Sequence, residues 1–110
     1  MNKLKMTTLA CAMMFSFGAF AGTLTLVNGS SSDLSGIYIS DSGTNSWEEN
    51  LVPEGSVLPA GNYIDVNIQG SYNKFDLRVE STEGGYEDYF EFPGNVTKIT
   101  IKGGGESEYQ

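Results

Sequence analysis

From residue 23 onward apolar side chains return at every second position, run after run, and a period of two constrains the fold more than any other feature of the chain. Leu24 and Leu26 alternate with Thr23 and Thr25, and Ile37 and Ile39 flank Tyr38. Ile64, Val66 and Ile68 alternate with Tyr63, Asp65 and Asn67; Phe75, Leu77 and Val79 alternate with Asp76, Arg78 and Glu80. Tyr86, Phe90 and Phe92 share a parity, with Glu87, Tyr89 and Glu91 opposite, and Ile99 and Ile101 alternate with Lys98 and Thr100. One apolar face per run describes sheets wetted on one side, the antiparallel pattern. Turn formers separate the runs: Asn28-Gly29, Pro59-Ala60-Gly61-Asn62, Gly70-Ser71-Tyr72-Asn73, Glu83-Gly84-Gly85 and Pro93-Gly94-Asn95. The expectation is an all-β fold, a small antiparallel β-sandwich of six to seven strands, with a small β-barrel as the alternative.

The first residues do not share this rhythm. Met1-Asn2-Lys3-Leu4-Lys5 is a short positive segment, and the apolar or small stretch from Met6 to Phe20 has the length of a signal core. Ala19 and Ala21 put small residues where signal peptidase reads, so residues 1–21 are expected to be a cleaved signal peptide of bacterial type. A lipoprotein acylated at Cys11 is the rival, and Thr8-Leu9-Ala10-Cys11 suits it poorly because a second apolar stretch follows the cysteine. The expected location is periplasmic or secreted. Residues 22–102 are expected to form the one β-sandwich domain, with 103–110 as a flexible C-terminal tail rich in glycine and charge.

Charge and composition narrow the chemistry. Beyond residue 21 the chain has 14 acidic and 4 basic side chains, a net charge of −10, with no His and no Cys. It is therefore disulfide-free in an oxidising space, and it has no side chains for thiolate or imidazole metal sites or for Ser-His-Asp and Cys-His nucleophiles. Such a charge repels nucleic acid and anionic membranes, and no later apolar stretch is long enough to span a bilayer. Basic protein partners and divalent cations are the electrostatically sensible company, and the oligomeric state is left open.

One stretch interrupts the alternation. Residues 40–62 have little strand character, a long connection for so small a domain. Within it Ser46-Trp47-Glu48-Glu49 has the form of a capping box, which predicts a helical turn that sets Trp47 and Leu51 on one face.

These residues also carry a resemblance. Ile37-Tyr38-Ile39-Ser40-Asp41-Ser42-Gly43, Trp47, Asn50-Leu51-Val52, Leu58-Pro59-Ala60-Gly61 and Phe75-Asp76-Leu77-Arg78-Val79 resemble a family of small secreted bacterial β-sandwich proteins of unassigned activity. The pattern is a tyrosine strand ending in serine, an acidic loop around a tryptophan, a Leu-Pro-x-Gly turn and an F-D-L-R strand. It covers most of the chain after the leader. The sequence departs from it at Glu48, where the family favours glycine, and at Glu54-Gly55-Ser56, which lengthens the approach to the Leu-Pro turn. The resemblance implies fold and compartment and supplies no catalytic residue.

Several constellations have both a functional and a structural reading. Trp47 is either a plug for the end of the sandwich or, with Tyr38 and Tyr89, a surface on which a sugar stacks. Asp41, Asn45, Glu48 and Glu49 in one loop, and Glu83, Glu87 and Asp88 at another, offer the hard oxygen ligands that calcium takes, without the spacing of an EF-hand. Their other reading is a solvated acidic surface. Paired carboxylates performing hydrolysis need a deep cleft, which a domain of this size hardly accommodates. Asp76, Arg78 and Glu80 form a row expected to face outward. Asp88 shares parity with Tyr86 and Phe90, so a regular strand would turn it inward; a bulge, an exposed strand end or a buried bond to a tyrosine resolves this. Asn28-Gly29-Ser30 and Asn95-Val96-Thr97 match the glycosylation pattern by chance. The expected function is a non-catalytic binding or protein-interaction module with acidic loops and no cofactor. The alternatives are a calcium-binding or carbohydrate-binding module using the 40–62 loop, and third a small carboxylate hydrolase.

Overall fold

A computed structural model describes residues 22–68 and 72–110. The expected signal peptide and part of the turn at 70–73 lie outside the described residues. Seven strands form: β1 (Gly22–Asn28), β2 (Leu34–Asp41), β3 (Tyr63–Ile68), β4 (Lys74–Ser81), β5 (Tyr86–Pro93), β6 (Lys98–Gly103) and β7 (Glu106–Tyr109). They make two sheets, one in the order β3-β1-β6-β7 and the other β2-β4-β5. The fold is all-β, a small sandwich, as the alternation required.

The alternating side chains meet between the sheets. Leu24, Leu26, Ile64, Val66, Ile99 and Ile101 come from the first; Ile37, Ile39, Phe75, Leu77, Val79, Tyr89 and Phe92 come from the second. Burying one such aliphatic or aromatic side chain is worth about 1.5–3 kcal/mol, so this layer is what holds a chain without disulfides. Leu34 and Leu58 bridge one end of the layer, and Asn28, wholly buried, ties the surrounding turns. The Asn28 amide group donates to the carbonyls of Ser32 and Leu58, and its Oδ1 accepts from Ser30. Gly94 follows the end of β5 because a Cβ there would sit 1.6 Å from the carbonyl oxygen of Tyr72.

Three local features depart from the sequence reading, and a fourth is the bulge that it held as one alternative for β5. No helix forms at residues 46–51; that segment runs extended along β2, and the loop gives the core Leu51 and Val52. Backbone bonding to a free sheet edge outweighs a single helical turn, which fixes several residues for little return. Residues 103–110 are not a frayed tail, because β7 pairs antiparallel with β6 through a turn at Gly104-Gly105, both at positive φ. β1 and β6 pair in parallel, which their wide separation in sequence permits. Finally, β5 bulges against β4: Phe92 pairs with Phe75 and Tyr89 with Leu77, so three steps on β5 answer two on β4. Glu91 takes the left-handed backbone at φ 65° to do this.

Candidate functional site

The bulge decides which side chains reach the solvent on the three-stranded sheet. Before it, Tyr89 points into the core and is 4% exposed, while Tyr86 and Asp88 point outward; after it, Phe92 turns inward again. Phe90, 64% exposed, and Tyr86, 59% exposed, therefore stand along the outer face of β5. Asp76 on β4 is only 5% exposed, contrary to the expected open row. Its Oδ1 accepts the Ser42 hydroxyl at 2.6 Å and the Glu91 amide at 2.9 Å, so it fastens both the turn after β2 and the bulge.

The centre of the outer face is Arg78. It lies directly across from Tyr38 on β2 and Asp88 on β5. Its Nε and Nη2 donate to the two oxygens of Asp88 at 2.7 and 2.9 Å, a fork that fixes the guanidinium plane. Trp47 and Tyr86 hold that guanidinium between them, with ring centroids 4.6 and 4.0 Å from its central carbon. The bond to Asp88 raises the Arg78 pKa further above its already high ordinary value. Beside it the Tyr38 hydroxyl donates to Glu80 Oε1 at 3.1 Å, and burial followed by this carboxylate raises the Tyr38 pKa. At Gly36 a Cβ would meet Glu80 Oε1 at 2.7 Å and the Tyr38 ring at 2.9 Å, so a larger residue there would displace these side chains.

At one end of the sandwich an open cleft of about 460 Å³ lies between the 30–32 turn and the hairpin turns that follow β4 and β6. The buried side chains of Leu34, Val79 and Ile101 form its floor, and Tyr86, Glu87, Lys102 and several serines contribute polar groups. Glu87 is the sole carboxylate among its lining residues. Its oxygens accept the Tyr89 hydroxyl at 2.6 Å and the Gly104 amide at 3.1 Å, binding β5 to the β6–β7 turn. Burial, then the bond to Glu87, pushes the Tyr89 phenol well above its ordinary value, although the amides of Gly103 and Gly105 pull the other way.

The residues expected to form sites thus separate. Trp47 is half-buried on the outer face, not in the core, and Tyr38 lies near it across Arg78. Tyr89 is buried and presents no stacking surface, which corrects its place among the ligand-binding candidates. Asp41, Asn45, Glu48 and Glu49 are exposed along the 40–62 loop, Glu83 is exposed in the β4–β5 turn, and Glu87 and Asp88 are engaged as described. Among the described residues no group of three His, Cys, Asp or Glu side chains gathers as a metal site would need. Trp47 and Leu51 do not share a helical face.

Sequence reasoning did not single out Arg78 as the hub, nor Tyr86 and Phe90 as exposed. The signal for the latter was present in Asp88. A carboxylate sharing parity with two aromatics means that either the acid is buried or the aromatics are not, and the aromatics face outward. Compared with protein families, curated proteins and solved structures, the chain matches none.

Proposed function

We propose that this chain is an extracytoplasmic, non-catalytic binding module that docks a protein partner along β5. The observation that carries this reading is an edge strand with no hydrogen-bonded strand on its outer side among the described residues, displaying two exposed aromatics, Tyr86 and Phe90. Bulges and charges blunt natural edges, and β5 has its bulge at Glu91; the regular stretch before it, Tyr86 to Phe90, is the part that can take an added strand. Tyr, Trp and Arg are also the residue types that dominate protein interfaces, and Trp47, Arg78 and Tyr86 stack together beside this edge. A protein is favoured over a sugar because the Trp47 ring is engaged by Arg78, and over calcium because the acidic side chains are dispersed.

The test is photo-crosslinking in the exporting cell, with a benzophenone amino acid at position 90 or at exposed position 54. A discrete covalent adduct from position 90, absent from position 54, is expected. Adducts from position 54 alone, or from neither position, overturn the reading.

A further inference from the structure

We infer that the segment docking on β5 presents a cationic side chain, lysine or arginine, to the cleft at Glu87. The inference rests on the docking reading and specifies the chemistry of the partner. Side chains directly opposite each other across a strand pair point to the same side. A strand laid outside β5 therefore sends the residue opposite Glu87 to the inner side, where Glu87 lines the cleft, and the residues opposite Tyr86 and Asp88 to the outer face. The partner alternates accordingly, with a cation on one face and apolar or aromatic groups on the other.

The cleft suits a long cationic side chain in both its parts. The exposed Tyr86 ring at the cleft offers apolar surface to a methylene stem, and Glu87 offers a carboxylate to the head. Glu87 accepts two hydrogen bonds yet has no cation partner among the described residues, and an ionised carboxylate has further acceptor positions. The other charge at the cleft is Lys102, whose ammonium is already held by Glu108. Arg78 and Lys74 are likewise committed, to Asp88 and Glu91. Glu83, exposed in the turn before β5, adds a second acid without an ion pair among the described residues.

The occupant this favours is a basic segment of another protein. A second copy of the chain from residue 22 onward would bring a further charge of −10 to an edge whose own charged residues, Glu87, Asp88 and Glu91, are all acidic. Like-charge juxtaposition opposes that pairing and steers a basic chain toward it.

The experiment uses the protein from residue 22 onward and follows amide shifts during titration with three soluble peptides. One alternates arginine with valine, the second has glutamine for each arginine, and the third is the arginine peptide N-methylated along one edge. Binding of the arginine peptide about three- to tenfold tighter than the glutamine peptide is expected, as for a partly desolvated ion pair. Glu87→Gln keeps an acceptor for the Gly104 amide, while the Tyr89 hydroxyl can turn to accept from the new amide nitrogen; it should bring that ratio close to one, whereas Glu83→Gln should leave most of it. Equal affinities for the two peptides, or a ratio unchanged in Glu87→Gln, overturn the cleft inference while the docking reading stands. Binding indifferent to N-methylation, or no binding at about 1 mM peptide, overturns docking itself. Should Glu87→Gln not fold, the same ratio on the unaltered protein at low and high salt decides, because a charge-driven preference shrinks as salt screens it.

Discussion

The β2-β4-β5 sheet has two edges, and the chain treats them oppositely. Along β2 the 40–62 loop returns as a substitute strand. The Glu48 amide donates to the Ile39 carbonyl at 2.8 Å, and the Leu51 amide donates to the Ile37 carbonyl at 2.7 Å. Asn50 fills the gap between them: its Oδ1 accepts from the amides of Ile37 and Val52, and its Nδ2 donates to the Ser35 carbonyl. Along β5 nothing comparable occurs among the described residues; a bulge and exposed aromatics stand there instead. Some twenty residues are spent closing one edge while the other is left with a kink and two rings. The contrast separates a structural edge from an interactive one, and the separation makes unequal claims on stability.

The heaviest claim falls on Asn50. Asn50→Ala strips the acceptor from two backbone amides and the donor from one carbonyl at a half-buried site, and each such orphan costs about 1–3 kcal/mol. Allowing for water reaching part of the gap, a loss of about 2–4 kcal/mol is expected in urea denaturation. Asn50→Asp keeps the acceptor but sets a carboxylate oxygen against the Ser35 carbonyl, so it should recover only part of that loss. If the two variants are equally stable, or alanine costs nothing, the loop does not close the β2 edge as its hydrogen bonds indicate.

Next comes Tyr89, which joins β5 to the β6–β7 turn. Tyr89→Phe removes a buried hydroxyl that donates to Glu87, and about 1–2 kcal/mol should be lost at neutral pH. The alkaline limb provides a second reading. The folded phenol has a raised pKa against an unfolded value of 10.0, so the unfolded chain releases its proton first. The stabilisation is fully present below pH 10 and drains away as pH rises above it. Stability measured from pH 9 upward should therefore fall less steeply in Tyr89→Phe than in the parent; equal slopes would mean the phenol is not held neutral by the fold.

How much of this was legible depends on how local each cause was. The alternation of Ile64, Val66 and Ile68, or of Phe75, Leu77 and Val79, placed β3 and β4 correctly, because a period of two is a property of neighbouring residues. The turn at Glu83-Gly84-Gly85 likewise announced the β4–β5 hairpin. The bulge was not local in that sense: Glu91 takes φ 65° because Asp76, fifteen residues earlier, accepts its amide. The capping box at Ser46 was a real local preference, overridden by the free edge of β2. β7 was hidden among glycines and charges, since an edge strand of four residues with its side chains largely exposed has little alternation to show. The outer face was legible only as Trp47 and Tyr38, because Arg78 gathers rings from a loop and from β5 that no spacing connects.

A smaller effect probes the kink on the open edge. Glu91 is a non-glycine residue in the left-handed region, which carries a cost of about 1 kcal/mol. Glu91→Gly removes that cost and gives up an exposed, long contact with Lys74, so a gain of about 0.5–1 kcal/mol is expected. A loss instead would show that the Lys74 contact or the entropy of glycine dominates the bulge.

The smallest effect is also the sharpest test of the contrast. Phe90 is mostly in water, so Phe90→Ala should change stability by less than about 0.5 kcal/mol, although truncating a buried phenylalanine costs about 3–5 kcal/mol. A ring so exposed has little packing to lose when it is removed. If denaturation instead reports a loss above about 1 kcal/mol, Phe90 is packed against something in solution, either the turn of Ser42 and Asn45 beside it or a second chain. The midpoint at two protein concentrations separates those cases, since only association makes stability concentration-dependent. A neutral result leaves Phe90 free to act on a partner alone, and makes Phe90→Ala the variant in which lost docking cannot be attributed to lost folding.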